Sequence, residues 1–476
     1  RSTEYILLAC SLYKRAIFAL VKITMKRKDT RCQYDQAEWW RISDNSRIGR
    51  TMSANNNQYS LYHILVASAG NLVEWYDFYI YSAFSLYFVD AFFPGNDPVA
   101  QMLSASGVFA LGFLMRPVGA LIFGRIGDRH GRRKALVLSI VLMCAGSSLI
   151  AVMPTYDSIG VAAPALLLIA RLLQGASLGG EYGSSATYLA EAAPPRCRGL
   201  YSSFQYVTII CGQLLALTLL LFLQNIALDD ASLRQWGWRI PFVIGGLLAI
   251  ASLWLRRDLS ETTSFESMRY DDRRGSLRAL LDHKRETMTV VGLTLGGTIA
   301  FYVYTTYMQK FLKLSVGLSA VETSWVTTFS LLFALVLQPF YGALSDRVGR
   351  RPMLLAFGIL GALCTTPLLT AIQHAKSALA ALAYICCAWL IVGLYTSINA
   401  VVKAELFPAS IRVTGVALPY ALTVSIFGGS AEYVALMFKT SQHEEWFFYY
   451  ASASMLISLI VYAMMPETGN KLNIDG

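Results

Sequence analysis

Long apolar blocks separated by short polar breaks recur from residue 62 to residue 465. A helix crossing the hydrocarbon core needs about 20 apolar residues at a rise of about 1.5 Å each. On that measure the pattern predicts twelve spans: 62–89, 102–125, 134–153, 164–191, 200–224, 239–256, 287–312, 323–345, 352–373, 378–404, 413–438 and 445–465. The breaks are short except for 257–286, which is rich in Arg, Asp and Ser and falls between spans six and seven. The reading is an all-α polytopic membrane protein. It divides into a tail over 1–60, helices over 61–256, a linker over 257–286, helices over 287–465 and a second tail over 466–476.

Composition narrows the class. Of 476 residues, 55% are hydrophobic and 15% charged, and the mean hydropathy is +0.47. Soluble chains carry about 25% charged residues, so a soluble enzyme, a disordered chain and a nucleic-acid binder are all disfavoured. The net charge of +10 is concentrated in residues 1–51, which hold eleven Lys/Arg against five Asp/Glu. This stretch is expected to be disordered, and Met52 is a candidate translation start. Its apolar run over 5–24 is broken by Lys14, Arg15 and Lys22 and does not make a span. In the interhelical loops, Lys and Arg number nineteen on one side and five on the other. With positive residues inside, both termini face the cytoplasm. The eight cysteines show neither CxxC nor metal spacing and read as small apolar filler.

An internal repeat divides the spans into two sets of six. Gly124-Arg-Ile-Gly-Asp128-Arg129-His-Gly131-Arg132-Arg133 recurs 218 residues later as Gly342-Ala-Leu-Ser-Asp346-Arg347-Val-Gly349-Arg350-Arg351. Each copy follows the second span of its half. After the fourth span of each half, Ala190-Glu191…Arg198-Gly199 is matched by Ala404-Glu405…Arg412…Gly415. Glycines permit tight turns and close helix approach, and the acids and arginines can form a charge latch on the cytoplasmic side. Breaking such a latch would shift the population of states. Parallel six-helix repeats imply two bundles rocking about a site near the midplane.

The repeated GxxxDRxGRR resembles the signature of the major facilitator superfamily. Gly70-Asn71-Leu-Val-Glu74-Trp75-Tyr76-Asp77, Phe113-Leu-Met-Arg116-Pro117 and Gly179-Gly180-Glu181-Tyr182-Gly183 are similar to its metabolite:proton symporter subfamily. Thr305-Thr306-Tyr307-Met-Gln309-Lys310 and Gly428-Gly429-Ser-Ala-Glu432-Tyr433 resemble the 2-oxoglutarate carriers within it. The resemblance covers roughly residues 61–465 and implies twelve transmembrane helices in two six-helix bundles. It implies proton-coupled uptake of 2-oxoglutarate or a related dicarboxylate by a monomer in the bacterial inner membrane, without a cofactor. Citrate, shikimate, proline and betaine are the alternative cargoes. Pro419 in span eleven departs from the pattern and points to altered helix geometry there.

Charges in mid-span are costly and mark function by default. The cations are Arg116, Arg171 and Lys310, and the acids are Glu74, Asp77, Glu181 and Glu432. Lys313 and Lys403 lie near span ends and are expected to snorkel. Asn71, Glu74 and Asp77 share an arc of about 120°. Two carboxylates so placed favour one neutral partner, which suits proton carriage, as does permanent pairing with Arg116 a structural role. Arg171, Gln174, Leu178, Glu181 and Ser185 form a stripe that lines a cavity or a helix seam. A dicarboxylate asks for two separated cations, which Arg116 from one half and Lys310 from the other would supply. Arg offers a bidentate fork and Lys a mobile point charge. Gln205, Tyr206, Tyr302 and Gln309 are candidates for the rest of the ligand.

No GxxxxGK[ST] phosphate loop occurs, which points to an ion gradient as the energy source. A dianion entering a negative cell is opposed by about 2.3 kcal/mol per charge per 100 mV. Two protons would cancel that charge. A receptor that binds without transport is the reading from another class, and the paired latch motifs argue against it.

Overall fold

A computed structural model describes residues 61–95, 97–130, 132–255, 282–408 and 411–469. The N-terminal tail, most of the 257–286 linker, the end of the chain and Gly131 lie outside the described residues. Of Gly124, Asp128, Arg129, Arg132 and Arg133, which with Gly131 are the candidate residues of the first motif copy, no side chain is described.

Each predicted span is a helix. The first half holds α1 (Leu61–Phe92), α2 (Pro98–His130), α3 (Arg132–Val152), α4 (Ala162–Ala192), α5 (Arg198–Ala227) and α6 (Ile240–Leu255). The second holds α7 (Lys284–Val316), α8 (Ala320–Val348), α9 (Arg350–Gln373), α10 (Ala378–Leu406), α11 (Arg412–Thr440) and α12 (Glu444–Met464). Nine of the described helices are long and apolar enough to cross a membrane, and α3 and α6 contain shorter apolar runs. Side chains such as Leu114, Leu247, Val336, Phe340 and Leu363 point outward. In water such a surface would be a liability; against lipid it is the solvated face.

Two helices run past their predicted ends into the repeated motif. α2 continues through His130 and α8 through Val348. Asp128 and Asp346 therefore stand on last helical turns, not in loops. Gly349 ends α8 at φ +100°, a left-handed conformation that favours glycine. Glu467 then caps the next helix, accepting from the backbone N–H groups of Arg350 and Arg351 at 2.9 Å each. These are donors a helix start leaves without partners.

Within the first bundle, small residues let α2 and α4 touch backbone to backbone. A Cβ on Gly175 would collide with the Gly112 carbonyl, and one on Gly179 with that of Arg116. α7 widens into π turns at Val303–Tyr307 and Leu312–Val316, flanking the turn that carries Lys310. α11 holds Pro419 in its first segment and widens at Val424–Gly428. Such turns recur at functional sites. α10 is interrupted between Thr396 and Asn399.

The two halves meet along several helix pairs, α10 against α4 and α5 among them. α5 crosses α8 where Gly199 faces Gly342, and α4 meets α11 where Gly183 faces Ala417. α1 meets α7, with Tyr79 donating to the Thr305 carbonyl at 3.2 Å. α2 meets α11, with Ser425 donating to the Phe113 carbonyl at 2.6 Å.

Burial acts to raise the Glu467 carboxyl, but the N–H groups of Gly469, Arg350 and Arg351 and the Arg350 guanidinium outweigh it and hold it below the usual range. A depressed folded-state value gives stability that is present at neutral pH and lost as pH falls through the carboxylate range. Glu467→Gln is expected to lower stability by about 1 kcal/mol at pH 7. Thermal unfolding in detergent should show that deficit shrinking towards pH 4.

Candidate functional site

Arg116 is held by three rings. Its guanidinium carbon lies 4.0 Å from the centre of Phe113, 4.8 Å from Phe78 and 5.6 Å from Trp75. Nε and Nη2 make no hydrogen bond, and the side chain has no ion pair among the described residues. Cation–π contacts of this kind stabilise by about 0.5–2 kcal/mol each, less than a carboxylate would offer in a dry site. Arg116 lines a narrow cavity between the halves, with Asn71, Glu74, Trp75, Leu178 and Tyr182 on one side and Ala417 and Tyr420 on the other. Tyr302 neighbours the guanidinium from α7 and packs on Phe113 at 5.3 Å between ring centres.

The shared arc of span one divides. Glu74 faces the cavity. Asp77 is fully buried inside the first bundle, accepting from Ser147 on α3 and from Gln174 on α4 at 2.8 Å. An arc of that width reaches two neighbouring helix faces, so the two acids have different partners. Arg171 belongs to the Asp77 network. It donates to Gln174 Oε1 at 2.7 Å and lies 4.4 Å from the centres of Phe78 and Tyr81. The α4 stripe is a seam: Ser185 donates to Gln205 Oε1 at 2.7 Å, and Glu181 is buried within it. Asn71 donates to Thr208 Oγ1 at 2.8 Å.

Lys310 does not share the Arg116 cavity. Its ammonium is 3.0 Å from Glu432 Oε2 and donates to the Ser82 hydroxyl and carbonyl at 2.6 and 3.1 Å. Ser106 donates to the other Glu432 oxygen. Ser82 and Ser106 belong to the first half, Lys310 and Glu432 to the second. The cluster therefore ties α1 and α2 to α7 and α11 on the side of the cavity away from the repeated motifs. The two cations expected to share one hollow thus separate, because a carboxylate one helix away claims the lysine. Gln309 is buried beside Lys310 in the chain, whereas Tyr206 lies with Tyr302, Tyr420 and Asn399, edge-on to Phe301 at 5.3 Å.

At the opposite end, residues of the second motif copy and of the matched Glu/Arg pairs meet across the halves. Asp346 on α8 accepts from the backbone N–H of Gly199 at 2.8 Å and of Leu200 at 3.0 Å, capping the start of α5 across the interface. Arg350 holds that carboxylate at 2.9 Å and reaches Glu405 at 3.7 Å. Arg412 pairs with Glu191 at 2.6 Å and donates to the carbonyls of Ala404 and Phe407. Arg198 is buried at the same end, and Arg351 donates to the Ala463 carbonyl at 2.6 Å. Arg347 lies on the last turn of α8.

Lys403, expected to snorkel, is instead fully buried against Tyr182 and Tyr420, whose rings stack at 3.6 Å. The signal in the sequence was its position four residues after Asn399, one turn away on the same face.

The sequence profile of the family described as sugar (and other) transporter matches residues 63–272 and again 257–472. The chain belongs to that family. As a family member it is a multi-pass membrane transporter and not an enzyme. It is 48% identical to the alpha-ketoglutarate permease of Escherichia coli K12, over 89% of this chain and 98% of that protein. It is 36% identical to the citrate-proton symporter of Klebsiella pneumoniae, over 77% and 82%. Identity to the proline/betaine transporter of E. coli K12 is 33%, over 86% and 84%. The fold matches the proton:xylose symporter XylE bound to 6-bromo-6-deoxy-D-glucose with a TM-score of 0.69 at 22% identity, covering 87% of this chain and 98% of that one.

Removing the Asp346 cap should open the end it closes. Charge at a helix N-terminus stabilises by about 1 kcal/mol, up to about 2 in partly buried sites. Asp346→Ala is then expected to raise the open population roughly tenfold. The check is the thiol-labelling rate of Ser203→Cys, which packs against Gly342, in a background lacking the native cysteines.

Proposed function

We propose that this transporter imports 2-oxoglutarate or a closely related dicarboxylate together with protons, by alternating access. The observation that carries the reading is Arg116: a buried guanidinium at the interface of the halves, facing a cavity, without an ion pair among the described residues. Such a cation is costly to keep away from water, and a carboxylate ligand supplies what it lacks. The organic-anion carriers among the relatives support the same substrate class.

The closed ends supply the cycle. The Lys310–Glu432 pair and its serines seal one end, and Asp346, Arg350, Glu191 and Arg412 seal the other. Protonation of Glu432 removes the partner of Lys310, and a buried pair that loses one partner is destabilised by about 3–5 kcal/mol. That energy links proton binding to opening of the Lys310 end. Glu74, beside Arg116 in the cavity, and Asp77 and Glu181 are further candidate proton carriers. The Lys/Arg loop bias supports a bacterial inner-membrane protein with the repeated motifs and both termini on the cytoplasmic side, working as a monomer.

Proteoliposomes with an imposed inward proton gradient are expected to accumulate labelled 2-oxoglutarate, with citrate, proline and betaine competing weakly. Arg116→Gln should reduce uptake at least about 100-fold, the effect of losing a charge-assisted pair in a dry site. Glu432→Gln should retain counterflow while losing gradient-driven accumulation. Accumulation of proline or betaine in preference to 2-oxoglutarate would overturn the assignment.

A further inference from the structure

The buried cations between the halves fall into two sets. Lys310 has Glu432, Arg350 has Asp346 and Glu405, and Arg412 has Glu191. Arg116 and Lys403 have no ion pair among the described residues. Lys403 comes from α10 of the second half and is 0% exposed. It donates to Asn399 Oδ1 at 2.9 Å and to the Tyr182 hydroxyl at 3.4 Å, and lies 4.1 Å from the centre of the Tyr420 ring. Both tyrosines also line the Arg116 cavity, so Lys403 stands one side chain away from it.

We propose that Lys403 is the second anion-binding cation of the central site, meeting the far carboxylate of a dianion whose near carboxylate meets Arg116. The assignment rests on the anion-transport reading above and specifies how that site selects charge. Three independent features support it. Among the described residues the ammonium is contacted by neutral groups alone, where a purely structural position would hold an apolar side chain at lower cost. It follows the interruption of α10 between Thr396 and Asn399, and broken helices at membrane depth are tolerated where they border a cavity. The barrier between Lys403 and the cavity is a stacked pair with one ring from α4 and one from α11. Separation of the halves would part those rings and present the lysine to an entering ligand. A dianion bridging Arg116 on α2 and Lys403 on α10 would then draw the halves together around itself.

The experiment compares labelled 2-oxoglutarate with its 5-methyl ester, which keeps the first carboxylate and the keto group but loses the second charge. Half-saturation is measured for both in proteoliposomes. Lys403→Met is expected to raise the value for the dianion at least about tenfold, as loss of one dry ion pair should, and to leave the ester within about twofold. Lys403→Arg should keep the preference for the dianion. Asn399→Asp sets a fixed carboxylate beside Lys403 and should erase that preference with the lysine still in place, which covers the case where Lys403→Met fails to insert. Unchanged preference in Lys403→Met or Asn399→Asp, or equal loss of both substrates, would overturn the proposal. A wild-type protein that carries neither compound would remove the transport reading itself, a result distinct from any of these.

Discussion

The structure depends on the cost of holding charge away from water. A lone ion in a low-dielectric interior is penalised by several kcal/mol, and a partner offsets that only with close geometry. Each buried charge at the meeting of the halves is therefore either matched or a candidate for matching by something that arrives. Lys310, Arg350 and Arg412 are matched within the chain. Arg116 has aromatic faces instead, and Lys403 an amide and two phenols.

The two ends of the interface are held by the same physics in different forms. On one side an ion pair is wrapped by two serines from the opposite half. On the other, a carboxylate from α8 completes the first turn of α5, so opening exposes helix donors as well as charges. Glycine at 199 and 342 makes that approach possible, since a side chain on either would meet the opposite backbone.

The twelve helices and their division were legible in the sequence because lipid demands long apolar runs and the repeat recurs in order. The repeat also marked Glu191 and Arg412, one from each copy of the second motif, and these two pair across the interface. Individual pairings were not. Hydropathy cannot tell which neighbour a buried lysine meets, so Lys310 was assigned to a shared hollow when Glu432, 122 residues further on, takes it. Periodicity placed Glu74 and Asp77 on one arc but could not show that its edges face a cavity and a bundle interior. Lys403 was taken for a snorkelling side chain because α10 reads as an unbroken helix whose end lies near it. The interruption after Thr396 and the tyrosines from two other helices are tertiary facts.

The central claim is that an incoming dianion meets positive side chains at the interface that have no ion pair among the described residues. The most direct measurement is an electron cryomicroscopy map of the protein with 2-oxoglutarate bound. One ligand carboxylate should lie against the Arg116 guanidinium, with Phe113 and Trp75 beside it, and Lys310 should be engaged with protein groups. A map placing both carboxylates away from Arg116 would contradict the account.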